Sequence, residues 1–225
     1  MESFPNRKAS HSFLINKRPP MHTRVLIIDD HFAQRLGLTV AINNEKDIKV
    51  VGQGGSVAEA VTLYEQLKPD VTLMDYTLPD GNGIEAVRRI RAADRNARMV
   101  MLTVLDGEED VFRASEAGAY GYLTKADDSR TLIKAIRAVA AGETFFPESV
   151  RAKVEARMKR DPLTLRELEV LHLIVEGLSN KEIGGRLGIT EGTVKLHVAK
   201  VLAKVGAQDR TRAAILAVER GFVRL

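Results

Sequence analysis

Five side chains that could hold a metal ion or a phosphoryl group each follow a short apolar run in the middle of the chain. They are Asp29, Asp30, Asp75, Thr103 and Lys125. The apolar runs, such as residues 25–28, are continuous, which is typical of strands buried on both faces of a parallel sheet. Functional groups of such sheets gather at the carboxyl ends of the strands. We therefore expect three carboxylates, one hydroxyl and one ammonium group to meet at one edge.

These five groups suit the chemistry of an aspartyl phosphate. Crowded carboxylates repel one another unless a cation joins them, and Mg²⁺ takes oxygen ligands and bridges to phosphate oxygens. A carboxylate can itself act as a phosphoryl nucleophile. Lys125 would then balance the charge of the phosphoryl group, and Thr103 would donate a hydrogen bond to one of its oxygens.

Strand-like and helix-like segments alternate five times between Arg24 and Gly142, and this order must position the five groups. The predicted strands are residues 25–28, 48–51, 71–74, 99–102 and 120–123, and the predicted helices are about 31–43, 56–67, 84–93, 108–117 and 128–141. In the first helix, Phe32, Leu36 and Val40 recur at i, i+4 spacing, which predicts its packed face. Five β-α units in series predict an α/β fold, a doubly wound five-stranded parallel sheet with helices on both faces.

The rest of the chain divides into a tail, a linker and a second domain. Residues 1–21 have no hydrophobic period, so we expect a disordered basic tail, with Met21 as a candidate start. The first domain is predicted at residues 22–142. Residues 143–162 are predicted to be a linker that forms a short helix, and the basic run at 157–160 is interpreted as solvated. Residues 163–225 contain no strand-like run, so the second domain is predicted to be all-α.

Charge and composition separate the two domains and exclude several classes of site. Residues 22–145 carry 19 acidic and 15 basic side chains, whereas residues 146–225 carry 10 acidic and 15 basic ones. The basic part favours a polyanionic partner. The chain has no cysteine, which excludes disulfides, zinc–thiolate sites and iron–sulfur clusters. No apolar run approaches the ~18 residues of a membrane span, and we expect neither a secretory signal nor a membrane partner.

Four helices are predicted in the second domain. Thr164 with Glu167, and Ser179 with Glu182, form two capping boxes that begin the first and second helices. Gly188 supplies the turn to a third helix, from Thr190 to about Val205, and a fourth runs from about 209 to 220. Two helices joined by a short turn with glycine match the helix-turn-helix plan.

The third helix has one apolar face and one face suited to DNA. Val194, Val198, Val201 and Val205 form the apolar stripe that should face the core. The residues predicted to meet DNA are Thr193, Lys195, Leu196, Ala199, Lys200 and Lys204. A lysine at position 195 reaches a guanine edge or a phosphate, and the N-terminus of the helix can bind phosphate through its amide groups.

The first domain resembles the receiver domain of two-component response regulators, which has a flavodoxin-like fold. The resemblance rests on the motifs VLIIDDH, VTLMDYTLPDGNG, MLTV and GAYGYLTKA, and covers about Arg24 to Gly142. It implies that Asp75 accepts phosphate from a partner histidine kinase, with Lys125 and Thr103 as the other catalytic groups. It implies a Mg²⁺ site made of Asp29, Asp30, Asp75 and the backbone carbonyl of Thr77.

The same resemblance implies a switch. Thr103 would be drawn to the phosphoryl group and Tyr122 would rotate inward, which changes the face formed by the fourth helix and fifth strand. Two positions depart from the usual receiver pattern. Val104 stands where many receivers have a smaller residue, and Ala126 stands where many have proline. We therefore expect no cis peptide after Lys125, because a cis bond costs about 2.5–4 kcal/mol at a non-proline residue.

The second domain resembles a LuxR-type helix-turn-helix over residues 161–225, on the stretch LTLRELEVLHLIVEGLSNKEIGGRLGITEGTVKLHVAKVLAKVGAQDRTRAA. The whole chain is thus similar to NarL/FixJ-type response regulators, and the resemblance implies a homodimer paired through the last helix. Gly184-Gly185 departs from the family, which usually has alanine first, and glycine inside a helix costs roughly 1 kcal/mol. Ala199 stands where some members carry a base-contacting lysine.

The predicted function is a cytoplasmic, phosphorylation-dependent, DNA-binding transcriptional regulator, with a histidine kinase and duplex DNA as partners. It is not predicted to be an enzyme beyond its own phosphoryl transfer and dephosphorylation. A phosphatase with an aspartate nucleophile is one alternative, but such enzymes usually place a second carboxylate where this chain has Thr77. A helical domain that binds protein rather than DNA is another. A ligand-sensing LuxR-type regulator is a third, disfavoured because the five polar positions do not form a small-molecule pocket.

Overall fold

The computed structural model describes residues 22–104 and 107–223. The predicted tail, residues 1–21, lies outside this part of the chain. The elements of the first domain are β1 (Thr23–Ile28), α1 (Phe32–Asn43), β2 (Ile48–Gly54), α2 (Val57–Leu67), β3 (Val71–Asp75), β4 (Thr77–Leu78), β5 (Gly81–Asn82), α3 (Gly83–Ala93), β6 (Met99–Thr103), α4 (Glu108–Glu116), β7 (Gly121–Thr124) and α5 (Ser129–Ala141). The predicted alternation is confirmed, and the loop after β3 adds a short antiparallel hairpin, β4–β5.

The five longer strands form one parallel sheet in the order β2-β1-β3-β6-β7. This is the strand order of flavodoxin-like doubly wound folds, so the predicted fold class is confirmed. In such sheets the connections reverse direction between the first and third strands, and ligands bind in the crevice that opens there. Asp29 and Asp75 stand at the carboxyl ends of those two strands.

Each face of the sheet covers its own buried cluster, because successive residues of a strand point to opposite faces. Leu26 and Met74 pack on the side of α2, α3 and α4. Val25 and Leu73 pack on the side of α1 and α5. The strand residues that carry the functional groups are therefore fixed from both sides.

The packed face predicted for α1 is wrong. Phe32, Leu36 and Val40 are 71%, 52% and 55% exposed, whereas Leu38 and Ile42 face the sheet. Both sets recur at i, i+4 spacing, because α1 is apolar around most of its circumference. Periodicity alone therefore could not select the side that the sheet covers.

The segment predicted as a linker contains α6 (Glu148–Met158). Val150 of α6 is 2% exposed and belongs to the buried cluster on the side of α2, α3 and α4. Arg157 is only 7% exposed. The interpretation of the basic run at 157–160 as solvated is therefore wrong for Arg157, whose partner is described below.

The second domain consists, in the part that the structure describes, of α7 (Leu165–Val175), α8 (Asn180–Leu187), α9 (Glu191–Val205) and α10 (Arg210–Glu219). Both predicted capping boxes form. A Cβ atom on Gly184 would lie 2.7 Å from the carbonyl oxygen of Ile189. Glycine at this position therefore lets α8 approach the turn before α9. Across residues 22–104 and 107–223, no helix combines the length and apolar character of a membrane span.

Candidate functional site

The predicted acidic and basic groups meet at the carboxyl edge of the sheet. The Nζ atom of Lys125 lies 2.8 Å from Asp29 Oδ2 and 2.7 Å from Asp75 Oδ2. Asp29 is fully buried, and Asp75 is 3% exposed. Thr103, at the end of the next strand, is 2% exposed. One ammonium group thus bridges two carboxylates that come from different strands.

The backbone after β7 holds Lys125 in this position. Its amide donates a hydrogen bond to the carbonyl of Thr103, at 2.7 Å. The amide and hydroxyl of Thr124 both donate to one oxygen of Asp127, at 2.7 and 3.0 Å. The peptide bond between Lys125 and Ala126 is trans, as expected.

The electrostatics of this contact leave negative charge to be neutralised. Burial raises the pKa of the Asp75 carboxyl, and the hydrogen bond and charge of Lys125 oppose that shift. Desolvation by itself lowers the pKa of Lys125, but the hydrogen bonds and charges of Asp29 and Asp75 outweigh it, and the pKa is raised. Lys125 therefore stays protonated, and its one ammonium group faces the carboxyl groups of both Asp29 and Asp75.

A divalent cation fits this arrangement. Ligand atoms of Asp29, Asp30, His31 and Asp75 all lie within 4.8 Å of one another. Carboxylate oxygens are the ligands that Mg²⁺ prefers, and a cation offsets the repulsion between crowded carboxylates. The amide of Thr77 lies 3.4 Å from Asp75 Oδ1, so this residue borders the pocket. The donor set is thus compatible with the predicted magnesium site.

His31 and Arg35 also belong to this pocket, and sequence reasoning missed both. The Nδ1 atom of His31 lies 2.6 Å from Asp30 Oδ1, and its amide donates to Asp29 Oδ1 at 2.8 Å. The guanidinium of Arg35 donates to the carbonyl of Asp29, at 2.5 Å. Both residues orient the acidic pair. The signal for His31 was its position directly after Asp29-Asp30, whereas Arg35 gave none.

The loop after Asp75 is fixed by Asp80 and Gly83. Both oxygens of Asp80 accept hydrogen bonds from the first amides of α2, those of Val57 and Ala58, at 2.7 and 3.0 Å. A Cβ atom on Gly83 would lie 2.0 Å from the carbonyl oxygen of Asp75. The start of α3 therefore packs directly against the backbone of Asp75, and only glycine leaves room for it.

The outer face of α9 presents the predicted DNA-binding residues. Val194, Val201 and Val205 are at most 1% exposed, and Val198 is half-buried, as the predicted apolar stripe requires. The residues exposed on the opposite side are Gly192, Lys195, Leu196, Ala199, Lys200 and Ala203. Gly188 takes a left-handed conformation with φ of +66° between α8 and α9, which makes the predicted turn.

Two of the predicted DNA contacts are engaged elsewhere. The Nζ atom of Lys204 lies 2.6 Å from Glu167 Oε2 and donates to the carbonyl of Pro162, at 3.0 Å. Lys204 thus anchors the start of α7, and its side chain is 23% exposed. Thr193 is half-buried, and its hydroxyl is hydrogen-bonded to that of Thr190, at 2.9 Å.

Comparisons with known proteins agree with this geometry. Residues 25–137 match the response regulator receiver domain, and residues 161–217 match the luxR family of bacterial regulatory proteins. The chain is 42% identical to the uncharacterized transcriptional regulatory protein YxjL of Bacillus subtilis, over 89% of this chain and 97% of that protein. It is 38% identical to the response regulator VraR of Staphylococcus aureus, over 90% of this chain and all of that protein.

The chain belongs to the response regulators with a LuxR-type helix-turn-helix. The structure of RcsB from Salmonella enterica serovar Typhimurium, bound to a promoter in the presence of the phosphomimetic BeF₃⁻, has the same fold. Its TM-score is 0.69, with 23% identity over 88% of this chain and 98% of that chain. One of these relatives is named as a transcriptional regulatory protein and the other as a response regulator.

The predicted switch residues of the receiver domain are both buried. Thr103 is 2% exposed and Tyr122 is fully buried. Tyr122 belongs to the same cluster as Val111 of α4 and Val150 of α6. In this structure the Tyr122 side chain therefore packs in the core beside α4.

In this response regulator, α4 joins the receiver domain to α6 and to the LuxR-type domain. Arg157 of α6 pairs with Glu109 of α4, with Nε 2.5 Å from Oε2, and both side chains are below 10% exposed. Arg160 pairs with Glu108. The amide of Glu109 donates to the carbonyl of Arg220, just after α10, at 2.9 Å. Sequence reasoning missed this contact, because the partners are about 50 and 110 residues apart.

We expect Gly83→Ala to displace the Asp75 backbone of this response regulator. Overpacking of this kind costs about 1–3 kcal/mol, so the melting temperature should fall and phosphoryl uptake should slow. Gly185→Ala is the matched control: a Cβ atom there meets nothing within 4 Å, and the change should stabilise α8 by about 1 kcal/mol. Thermal melting of the two variants gives the comparison, and equal melting temperatures would contradict the close approach.

The contact between Glu167 and Lys204 predicts a pH-dependent stability. Burial raises the pKa of Glu167, but the hydrogen bonds from Lys204 and Thr164 outweigh burial, and the pKa is lowered. A carboxyl with a lowered pKa in the folded state stabilises the fold above its unfolded pKa, and this contribution is lost as the pH falls through the folded pKa.

Glu167→Gln should therefore lower the free energy of unfolding by about 1 kcal/mol at neutral pH, the typical value of a helix cap. The difference from wild type should shrink below the ordinary pKa range of glutamate. Urea unfolding followed by circular dichroism at several pH values measures it. Glu169→Gln, at an exposed pair with Arg166 on the same helix, should change little. A Glu167→Gln effect independent of pH would argue against the ion pair.

Proposed function

We propose that Asp75 of this response regulator accepts a phosphoryl group from a histidine kinase and thereby controls DNA binding by α9. The observation that carries the proposal is the contact of Lys125 with both Asp29 and Asp75 at the switch point of the sheet. Phosphorylation adds negative charge to Asp75, and the ammonium group of Lys125 supplies the opposite charge that keeps this buried group paired.

The transfer follows from the placement of these groups. A carboxylate oxygen of Asp75 attacks the phosphorus atom, and the bond from phosphorus to the donor histidine nitrogen breaks, with its electron pair staying on the imidazole. Lys125 stabilises the charge on the phosphoryl oxygens, and Thr103 donates a hydrogen bond to one of them. Hydrolysis of the aspartyl phosphate returns Asp75 to its unphosphorylated form, and no other catalysis is proposed.

Magnesium would be held by Asp29, Asp30, Asp75 and the backbone carbonyl of Thr77, and would supply charge neutralisation for the phosphoryl oxygens. His31 and Arg35 keep the acidic pair oriented toward this site. The three carboxylates within reach of one ion support this assignment.

The signal would pass from the pocket to α4. Thr103 ends β6, which precedes α4 in the chain, and Tyr122 packs in the same cluster as Val111 of α4. A shift of α4 acts on Glu109, which holds Arg157 of α6 and the backbone of Arg220 after α10. The α4 contact is therefore the proposed two-state element through which phosphorylation changes the LuxR-type domain.

DNA binding would use the outer face of α9. Lys195 and Lys200 are exposed there, and lysines supply phosphate and guanine contacts. Thr193 and the N-terminal amides of α9 lie where a phosphate can be bound. We assign Lys204 to the stability of α7 instead, because its ammonium group is held by Glu167.

A homodimer on duplex DNA in the cytoplasm completes the proposal. Ile215 and Val218 of α10 are 45% and 38% exposed, at i, i+3 spacing on one side of the helix predicted to pair. Two copies double the phosphate contacts and fix the half-site spacing. We propose residues 22–142 as the receiver domain, 143–162 as the connection and 163–225 as the DNA-binding domain.

The main alternative is a phosphatase with Asp75 as nucleophile. Thr77, two residues later, has no acid–base side chain, and Lys125 already occupies the oxygen Asp75 Oδ2. Steady turnover of a phosphomonoester by the full chain would favour this alternative over a regulator.

Asp75→Asn should abolish phosphoryl uptake. We expect wild type, incubated with acetyl phosphate and Mg²⁺, to gain the mass of one phosphoryl group on Asp75, and the variant to gain none. The measurement is intact-mass spectrometry followed by peptide mapping. Asp70→Asn is the control, because Asp70 precedes the opposite end of the same strand, and it should be labelled like wild type. Equal labelling of wild type and Asp75→Asn would refute the assignment.

Arg157→Met should loosen α6 from α4. Removing one partner of a buried ion pair is destabilising, because the other charge loses its compensation. Arg113, which lies 3.3 Å from Glu109 Oε1, would then be the remaining partner of Glu109 and would reduce this cost. Amides of α6 should then exchange hydrogen faster, and the unphosphorylated protein should bind DNA more tightly. A double variant, Arg157→Met with Glu109→Gln, should regain part of the protection.

Arg151→Gln serves as its control, since Arg151 makes an exposed pair with Glu148 on the same helix. Hydrogen exchange of the full chain, with and without phosphoryl donor, distinguishes these cases. If the amides of α6 exchange hydrogen at the same rate in Arg157→Met and in Arg151→Gln, the α4 contact does not hold α6.

A further inference from the structure

Leu196 is a large apolar side chain at the centre of the exposed face of α9. It is 68% exposed, whereas the valines on the other side of the helix are buried in the core. Lys195, Ala199 and Lys200 around it are exposed as well. Leu196 contributes little to the core of the domain, and its side chain is available for contact with a partner outside the domain.

Apart from two lysines, which can contact guanine, α9 has no side chain that reads a base with a pair of hydrogen bonds. Arginine reads guanine in this way, and asparagine or glutamine reads adenine. The sequence of α9, EGTVKLHVAKVLAKV, contains none of the three. Thr193 and Lys204 are engaged with Thr190 and Glu167. The exposed side chains left to face the bases are two lysines and the apolar pair Leu196 and Ala199.

The C5-methyl group of thymine is the apolar feature of the major groove. We infer that Leu196, together with Ala199, reads thymine methyl groups and thereby contributes to the sequence specificity of this response regulator. The inference rests on the proposed function, in which α9 enters the major groove.

The position of the two residues on α9 suits this role. Residues at i and i+3 are neighbours on a helix surface, so Leu196 and Ala199 form one continuous apolar patch. Side chains of a helix lean toward its N-terminus, which is the end that meets the base edges in helix-turn-helix domains. Lys195 pairs with Glu191 at 2.9 Å. That pair holds the ammonium group beside the patch, where it can reach a phosphate or a guanine.

The test uses the full chain and duplexes selected from a random pool in the presence of acetyl phosphate and Mg²⁺. Each thymine of the selected duplex is replaced in turn by deoxyuridine, which removes only the C5-methyl group. For wild type, we expect at least one replacement to weaken binding about fourfold, the factor that corresponds to one buried methyl-sized group. For Leu196→Ala, the same replacement should have no effect.

Leu165→Ala is the matched control. Leu165 is an equally apolar side chain, 83% exposed, at the start of α7 and outside α9. Its removal should leave both the affinity and the discrimination between thymine and deoxyuridine as in wild type. Both substitutions are at exposed positions, so both variants should keep the melting temperature of wild type.

The outcomes separate this inference from the proposed function. If wild type shows salt-dependent binding but no thymine matters, or if Leu196→Ala still discriminates thymine from deoxyuridine, the inference is wrong and the DNA-binding function stands. If no duplex is bound in a salt-dependent way, the proposed function fails, because phosphate contacts release counterions. In that case the inference falls with the function.

Discussion

Lys125 donates a hydrogen bond to Asp75 and forms an ion pair with Asp29. These two buried carboxylates end neighbouring strands, and much of the receiver domain serves this contact. The parallel sheet brings the strand ends together, and the backbone after β7 ties Lys125 to Thr103. Gly83 and Asp80 fix the loop after Asp75 from the other side. Without the ammonium group, two carboxylates within reach of one another would be buried with no compensating charge, which is strongly unfavourable.

The same contact makes the pocket responsive to charge. Lys125 is shared between Asp29 and Asp75, so a phosphoryl group on one carboxylate changes what the ammonium group and Thr103 can bind. The strand before Lys125, β7, contacts α4. In turn, α4 holds α6 and the end of α10 through Glu109. The outer face of α9 is exposed in this arrangement. Control would therefore act through the position and pairing of the LuxR-type domain, and direct covering of the recognition helix is not required.

The fold and the acidic pocket could be predicted because they rest on local signals. Continuous apolar runs identified the buried strands, and a polar residue directly after each run identified the pocket. Capping boxes fixed the starts of α7 and α8. What failed depends on long-range packing. The exposed stripe of α1 and the packed one have the same spacing, so only the position of the sheet decides between them. The sequence predicts that Lys204 contacts DNA. In the structure its ammonium group donates a hydrogen bond to Glu167, 37 residues earlier, which the spacing along the chain did not indicate. Arg157 looked solvated because its partner lies on another element.

A crystal structure of the full chain with Mg²⁺ and beryllofluoride would show whether Asp75 carries the phosphoryl group beside Lys125. We expect beryllofluoride on Asp75, in contact with Lys125 and Thr103, and a metal ion bound between Asp75 and the pair Asp29-Asp30. A structure with Lys125 turned away from the bound group, or with beryllofluoride on another carboxylate, would contradict this expectation.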